Sequence, residues 1–152
     1  MIRYNSSQFG ELYMLNFKNI LYAIDLDSKS LSSLEKALEF AQLFNARIHI
    51  LYVNDSQAGY RHPADREDAV ALKVEETVSE TLLENIEIIY AVSRGNTAEE
   101  ILKYAQENQI DLIIVGHKHR SKLSSSIFDS TDINIIDTVS MPVLVVPEKS
   151  RV

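Results

Sequence analysis

Between Gly116 and Asp132 the chain reads GHKHRSKLSSSIFDSTD, its densest concentration of reactive side-chain types. His117, Lys118, His119, Arg120 and Lys122 place five basic or imidazole groups together on a chain of net charge −7. Such a cluster can hold a phosphate or sulfate through charge-assisted hydrogen bonds, or it can be a solvated charge run. His117 and His119 could give a metal two imidazoles, but nothing in the sequence fixes the third and fourth ligands of a zinc site. Ser124, Ser125, Ser126 and Ser130 lack a glycine-flanked nucleophile elbow and any base–acid partner order. They suit a helix cap or an anion contact better. No catalytic constellation stands out, and an enzyme is not expected.

Five short apolar runs must position these residues. They are NILYAI (19–24), ARIHILYV (46–53), IEIIYAV (86–92), IDLIIV (110–115) and PVLVVP (142–147). Each has the length and composition of a buried strand. His49, inside the second, is read as structural. Amphipathic stretches separate the runs. Residues 32–45 place Leu34, Leu38, Ala41 and Phe44 at helical spacing, and residues 66–85 repeat Val70, Val74, Val78 and Leu82. Residues 97–108 and 126–139 are expected to form the third and fourth helices. Ser32 with Glu35, and Thr97 with Glu100, have capping-box spacing. Residues 1–16 read as an N-terminal extension and 17–149 as one domain; Met14 could be the natural start.

Near-continuous apolar strands alternating with helices imply parallel strands covered on both faces. The fold class expected is α/β, an open doubly wound five-stranded parallel sheet with helices on both faces. Ligands in such sheets bind at the carboxyl ends of strands, where strand order reverses. Three stretches then lie on the rim: DLDS (25–28), NDS (54–56), and the loop expected to open at Gly116.

Composition sets the class of partner. Hydrophobic residues make up 45% and charged residues 24%, ordinary for a soluble globular protein. No apolar run approaches the roughly 18 residues needed to span a bilayer. The acidic balance argues against nucleic acid and anionic membranes. With no cysteines, the chain makes no disulfides and fits a reducing compartment. A cytoplasmic location is expected.

The segments NILYAIDLDSKS, ARIHILYV, GNTAEEILKYAQENQIDLIIVGHKHR and VSMPVLVVP, in this order and spacing, resemble the universal stress protein family over residues 17–147. The resemblance implies the sheet derived above and a homodimer, here through strand 142–147. It also implies a nucleotide site, whose candidates are Ala23, Asp25, Val53, Val115, Gly116, Lys118, His119, Arg120, Ser130 and Thr131. Asp25 would meet the ribose or adenine edge and Val53 the adenine face. From the residues alone, Asp25 could equally be a turn residue and Val53 an ordinary strand end.

ATP-binding members carry G-x2-G-x9-G-[S/T] after the fourth strand. Gly116 matches the first glycine and Ser130 the final position, but His119 and Asp129 stand at the other two glycines. Members lacking these glycines are thought not to bind ATP. Phosphate-loop glycines let bare amides approach the oxygens and permit left-handed dihedrals. A carboxylate about 4 Å from a phosphate costs on the order of 4 kcal/mol at an effective dielectric near 20. That is about three decades of affinity. The expectation is therefore a noncatalytic, dimeric stress-response module with weakened or lost ATP binding and no required cofactor. The alternative is an ATP- or AMP-binding switch, with slow ATPase activity at most, in which basic residues 117–122 replace the glycines.

Overall fold

The structure, a computed structural model, describes residues 16–26, 32–55, 67–118, 135 and 138–148. Five strands form one sheet: β1 (Asn19–Ala23), β2 (Arg47–Asn54), β3 (Ile88–Arg94), β4 (Leu112–Lys118) and β5 (Val143–Glu148). All neighbours are parallel, in the order β3-β2-β1-β4-β5. The helices are α1 (Ser32–Phe44), α2 (Glu67–Thr77), α3 (Glu80–Leu83) and α4 (Thr97–Glu107). The doubly wound sheet expected from the apolar runs is present.

Alternation along the strands explains why the runs are nearly continuous. Ile20 and Tyr22 of β1, Ile48 and Ile50 of β2, and Leu112 and Ile114 of β4 pack on one face. There they meet Leu34, Ala37, Leu38 and Ala41 of α1 and Val70 and Val74 of α2. Leu21, Leu51, Ile113 and Val115 point the other way, against Ala98, Ile101 and Ala105 of α4 and against Ile135. A strand whose two faces are both buried has no polar side to show.

Left-handed residues turn helices into strands. Asn45 (φ 51°) ends α1, where the Ala46 amide donates to Ala41 O and the Asn45 amide to Gln42 O. This is a Schellman closure made without glycine. Gln109 (φ 54°) ends α4, with the Ile110 amide donating to Ala105 O.

Several boundaries differ from the sequence reading. Strands β2 to β5 each run one to three residues further toward the carboxyl end than expected. The single helix expected over 66–85 is two. Ser79 has extended backbone (φ −68°, ψ 147°) and starts α3 anew. Thr77 Oγ1 donates to Lys73 O at 2.6 Å, a back-bond that bends helices. The cap of α4 lies one residue earlier than expected: Asn96 Oδ1 accepts from the Glu99 amide. Ser32 is already helical, and its Oγ has no hydrogen-bond partner among the described residues. Of the helix expected over 126–139, Ile135 and Thr138 have helical backbone and most other residues lie outside the described set, as do residues 1–15 and 56–66.

Candidate functional site

The strand order reverses between β1 and β4. From β1 the chain winds outward through β2 to β3, then returns to β4 on the other side and continues to β5. A crevice therefore opens where the carboxyl ends of β1 and β4 diverge. Ala23 and Val115 are register partners there, both belonging to or packed on the α4-side core. Val53, the penultimate residue of β2, is half-buried on that same side. Asp25 stands two residues after β1 and is half-buried. Gly116 pairs with Val146, and the Lys118 backbone with Glu148, at the end of β4.

The structure thus brings Ala23, Asp25, Val53, Val115, Gly116 and the Lys118 backbone to one rim. His119, Arg120, Ser130 and Thr131 lie outside the described residues, as do Lys122, Asp129 and Asp132.

Two expectations are corrected at this rim. Gly116 does not open a loop, since β4 continues through Lys118 by pairing with β5. His117 is not a solvated loop residue. It pairs with Pro147, and only 8% of its surface is exposed. Alternation carries it to the same side of the sheet as Val115. The basic cluster is therefore split: its first imidazole is buried at the end of β4, and its members beyond Lys118 lie outside the described residues.

The polar network of this rim was not anticipated. Ser33 Oγ, in the first turn of α1, donates to Glu148 Oε1 at 2.6 Å and lies 2.6 Å from the Tyr22 hydroxyl. A serine hydroxyl has a single proton, so the tyrosine O–H must donate to Ser33 Oγ. The relay runs from Tyr22 on β1 through Ser33 to Glu148 on β5, passing over Gly116 of β4. Ser33 and Tyr22 are 0% and 1% exposed, and Glu148 only 6%. Burial pushes the Tyr22 phenol well above its ordinary range; the Ser33 hydrogen bond opposes this, and the charges of Glu148 and Asp25 add to it.

Gly116 is tied to this relay. A Cβ at position 116 would stand 2.6 Å from Ser33 Oγ and 2.9 Å from Glu148 Oε1. Any side chain here would force Ser33 and Glu148 to shift. A glycine inside a strand pattern is a signal of close approach. Tyr22 and Ser33, however, looked like ordinary strand and helix-start residues, and Glu148 fell one residue beyond the expected strand.

One further rim residue is structural. Asp55 Oδ2 accepts from the Thr97 amide at 3.0 Å and from Thr97 Oγ1 at 2.9 Å. It thereby neutralises the amino end of α4. At the opposite end of the sheet His49 is structural, as read. Its Nδ1 lies 2.8 Å from the Tyr104 hydroxyl and its Nε2 3.3 Å from Asn19 Oδ1. Among the described residues no group of three or more metal-ligating side chains comes together, and no helix is long and apolar enough to cross a membrane.

Known proteins share this architecture. The profile of the universal stress protein family matches residues 16–147. Universal stress protein YxiE of Bacillus subtilis is 30% identical over 148 residues, covering 86% of this chain and 99% of that one. The structure of universal stress protein UspA from Lactobacillus plantarum superposes with a TM-score of 0.67 at 25% identity, covering 88% and 99% of the two chains. A universal stress protein solved in complex with cAMP gives 0.66 at 18% identity, covering 89% and 100%. With the sheet, its switch point and the match over nearly the whole described chain in agreement, this protein belongs to the universal stress protein family.

Proposed function

We propose that the chain is a noncatalytic, dimeric binding or signalling module of the stress response, acting in the cytoplasm, whose nucleotide pocket is weakened. One observation carries this reading. The crevice collects Ala23, Asp25, Val53 and Val115 where a nucleotide would lie, yet two of the three glycine positions of the phosphate loop carry His119 and Asp129. The Ser33 hydroxyl is wholly buried and so is out of a substrate's reach. A structural relative was solved with cAMP, so cyclic nucleotides belong in the test.

Calorimetric titration with ATP, AMP and cAMP should give ATP binding weaker than about 100 μM, from the charge repulsion estimated for Asp129. His119→Gly with Asp129→Gly should strengthen it. A submicromolar constant for the parent protein overturns the reading. Equal weakness in the double variant would show that the glycines are not the reason.

The alternative, a nucleotide switch using the basic segment, draws support from β4 carrying Lys118 to the rim. Under that reading millimolar phosphate stabilises the protein by mass action, and Lys118→Ala with Arg120→Ala removes the effect.

The dimer is proposed through β5. The strand order puts β5 at the sheet edge, with Val143, Leu144, Val145 and Val146 all half-buried. An apolar edge is a liability that natural proteins cover, and two copies related by a twofold axis would cover each other. Val145→Lys should shift the mass in light scattering toward monomer. A parent protein that is monomeric at high micromolar concentration refutes the dimer.

A further inference from the structure

We infer that the outer flank of α1 is an interaction surface whose occupant is the chain's own segment 1–15. Among the described residues the exposed large apolar side chains are Leu43 and Leu72, and Leu43, in the last turn of α1, is 76% exposed. Leu43 does not stand alone. It follows Phe40 by three residues and so lies beside it on the helix surface. Phe40 stacks on Phe44 with ring centroids 6.1 Å apart, and Phe17 meets Phe44 edge-on at 5.0 Å. All three rings are only half-buried, and the exposed Lys36, Glu39 and Asn45 border the strip. An apolar strip with a polar rim is the mark of a surface that something covers.

Residues 1–15 lie outside the described residues, and they join the fold at Asn16, next to the Phe17 ring of this strip. Their composition suits it. Phe9, Leu12, Tyr13, Met14 and Leu15 bring apolar surface, and the segment's two charges, Arg3 and Glu11, cancel. A segment with nothing to cover is ordinarily poor in such residues. Reach is ample, since the seven residues from Phe9 to Leu15 can extend over roughly 23 Å. Tethering decides the occupant. A short flexible link gives an effective concentration in the millimolar range, so a contact of only millimolar strength is already about half made. A second copy at micromolar concentration would have to bind about a thousand times more tightly to do as well.

The test is limited chymotrypsin digestion of the full chain, with mass spectrometry following cleavage of the Phe9–Gly10 bond. In the parent this bond should be cut more slowly than in a free peptide of residues 1–15. Leu43→Lys puts a charge into the strip, yet lysine is a good helix former and suits the last turn of α1. It should speed cleavage about tenfold, the factor that burying one leucine side chain is worth. Leu12→Ser, on the segment itself, should do the same, and the double variant should gain little over either alone. Leu72→Lys places the same charge on the exposed leucine of α2 and should leave the rate as in the parent.

A parent bond cut as fast as the peptide overturns the inference, as does an unchanged rate in Leu43→Lys. An equal rise in Leu72→Lys overturns it too, by tracing the effect to net charge. Gains that multiply in the double variant would show that Leu12 and Leu43 act apart, and the assigned contact fails. Protection that fades on dilution gives the strip to a second copy and overturns the choice of occupant. None of these outcomes depends on nucleotide binding, so the surface and the function proposed above can fail separately.

Discussion

At the amino ends of the strands, Asp111 and His49 hold the sheet by local means. Asp111 Oδ2 accepts from the backbone amides of Lys18 and Asn19 at 2.8 and 2.9 Å, fastening the start of β1. His49 sits between Asn19 and Tyr104 as a neutral ring. Its Nε2–H faces the amide oxygen of Asn19, so Nδ1 accepts from the Tyr104 hydroxyl. At the carboxyl ends, Tyr22, Ser33 and Glu148 link three separate elements in a relay that finishes on a buried carboxylate. At one end a carboxylate fastens the backbone of a single strand and a neutral ring bridges two neighbours; at the other a carboxylate closes a side-chain relay across three elements.

The sharpest break of this comparison is Gly116→Ala. Its methyl would sit 2.6 Å from Ser33 Oγ and 2.9 Å from Glu148 Oε1, and overpacking of this kind typically costs about 1–3 kcal/mol. Urea denaturation should show the loss, and pairing it with Ser33→Ala should recover part of it, because one of the two colliding atoms is gone. An unchanged midpoint would mean that the relay yields easily.

Asp111→Ala strikes the other end. Loss of two charge-assisted bonds to backbone amides, one of them at an exposed site, should cost about 1–2 kcal/mol. It should leave nucleotide affinity untouched. A change in AMP binding in this variant would show that the two ends are coupled.

Tyr22→Phe removes the donor at the far end of the relay but leaves Ser33 bonded to Glu148. About 1 kcal/mol of stability is at stake. AMP binding should not change, because Tyr22 faces the α1 side of the sheet whereas Ala23, Val53 and Val115 face the α4 side.

The smallest effect is the pH response of His49. Burial, with repulsion from Arg47 second and attraction to Glu87 opposing both, holds its folded-state value below the ordinary 6.5. As pH falls through 6.5 the unfolded chain takes up the proton before the native protein does. The stability contributed by neutral His49 is therefore present above 6.5 and is lost as pH falls toward the folded value. Melting temperatures between pH 7.5 and 5.5 should drop less steeply in His49→Gln than in the parent, the remaining histidines titrating in both. Parallel slopes would contradict the neutral ring.

Much of the fold was legible because strand burial leaves a local mark. Runs such as LIIV in β4 have no polar side, and that alone implies cover on both faces. The rim was less legible, for reasons of scale. Gly116 was read as the end of a strand because glycine usually punctuates, whereas here it marks close approach by Ser33 and Glu148. His117 looked like part of a charge run because its neighbours are basic; its pairing with Pro147 comes from a strand 30 residues later. Ser33 and Glu148 are 115 residues apart, and no local pattern announces a contact at that distance. Helix two was overextended because Val78 and Leu82 keep the apolar period across the break at Ser79.

The central place of β1 has a consequence for the ribosome. The strand pairs with β2 on one side and β4 on the other, and the Ile20–Leu112 partnership joins residues 92 positions apart. At roughly 5–20 residues per second, the β4 side of β1 waits roughly 5–20 s of elongation for its partner to be made. Through that interval a largely apolar strand has a free edge, which is the kind of surface that pairs with whatever strand comes near. The nascent chain, more than the finished protein, is where this sheet is open to wrong partners. Slowing elongation between residues 54 and 112 should therefore lower the soluble yield, while slowing it after residue 118 should not.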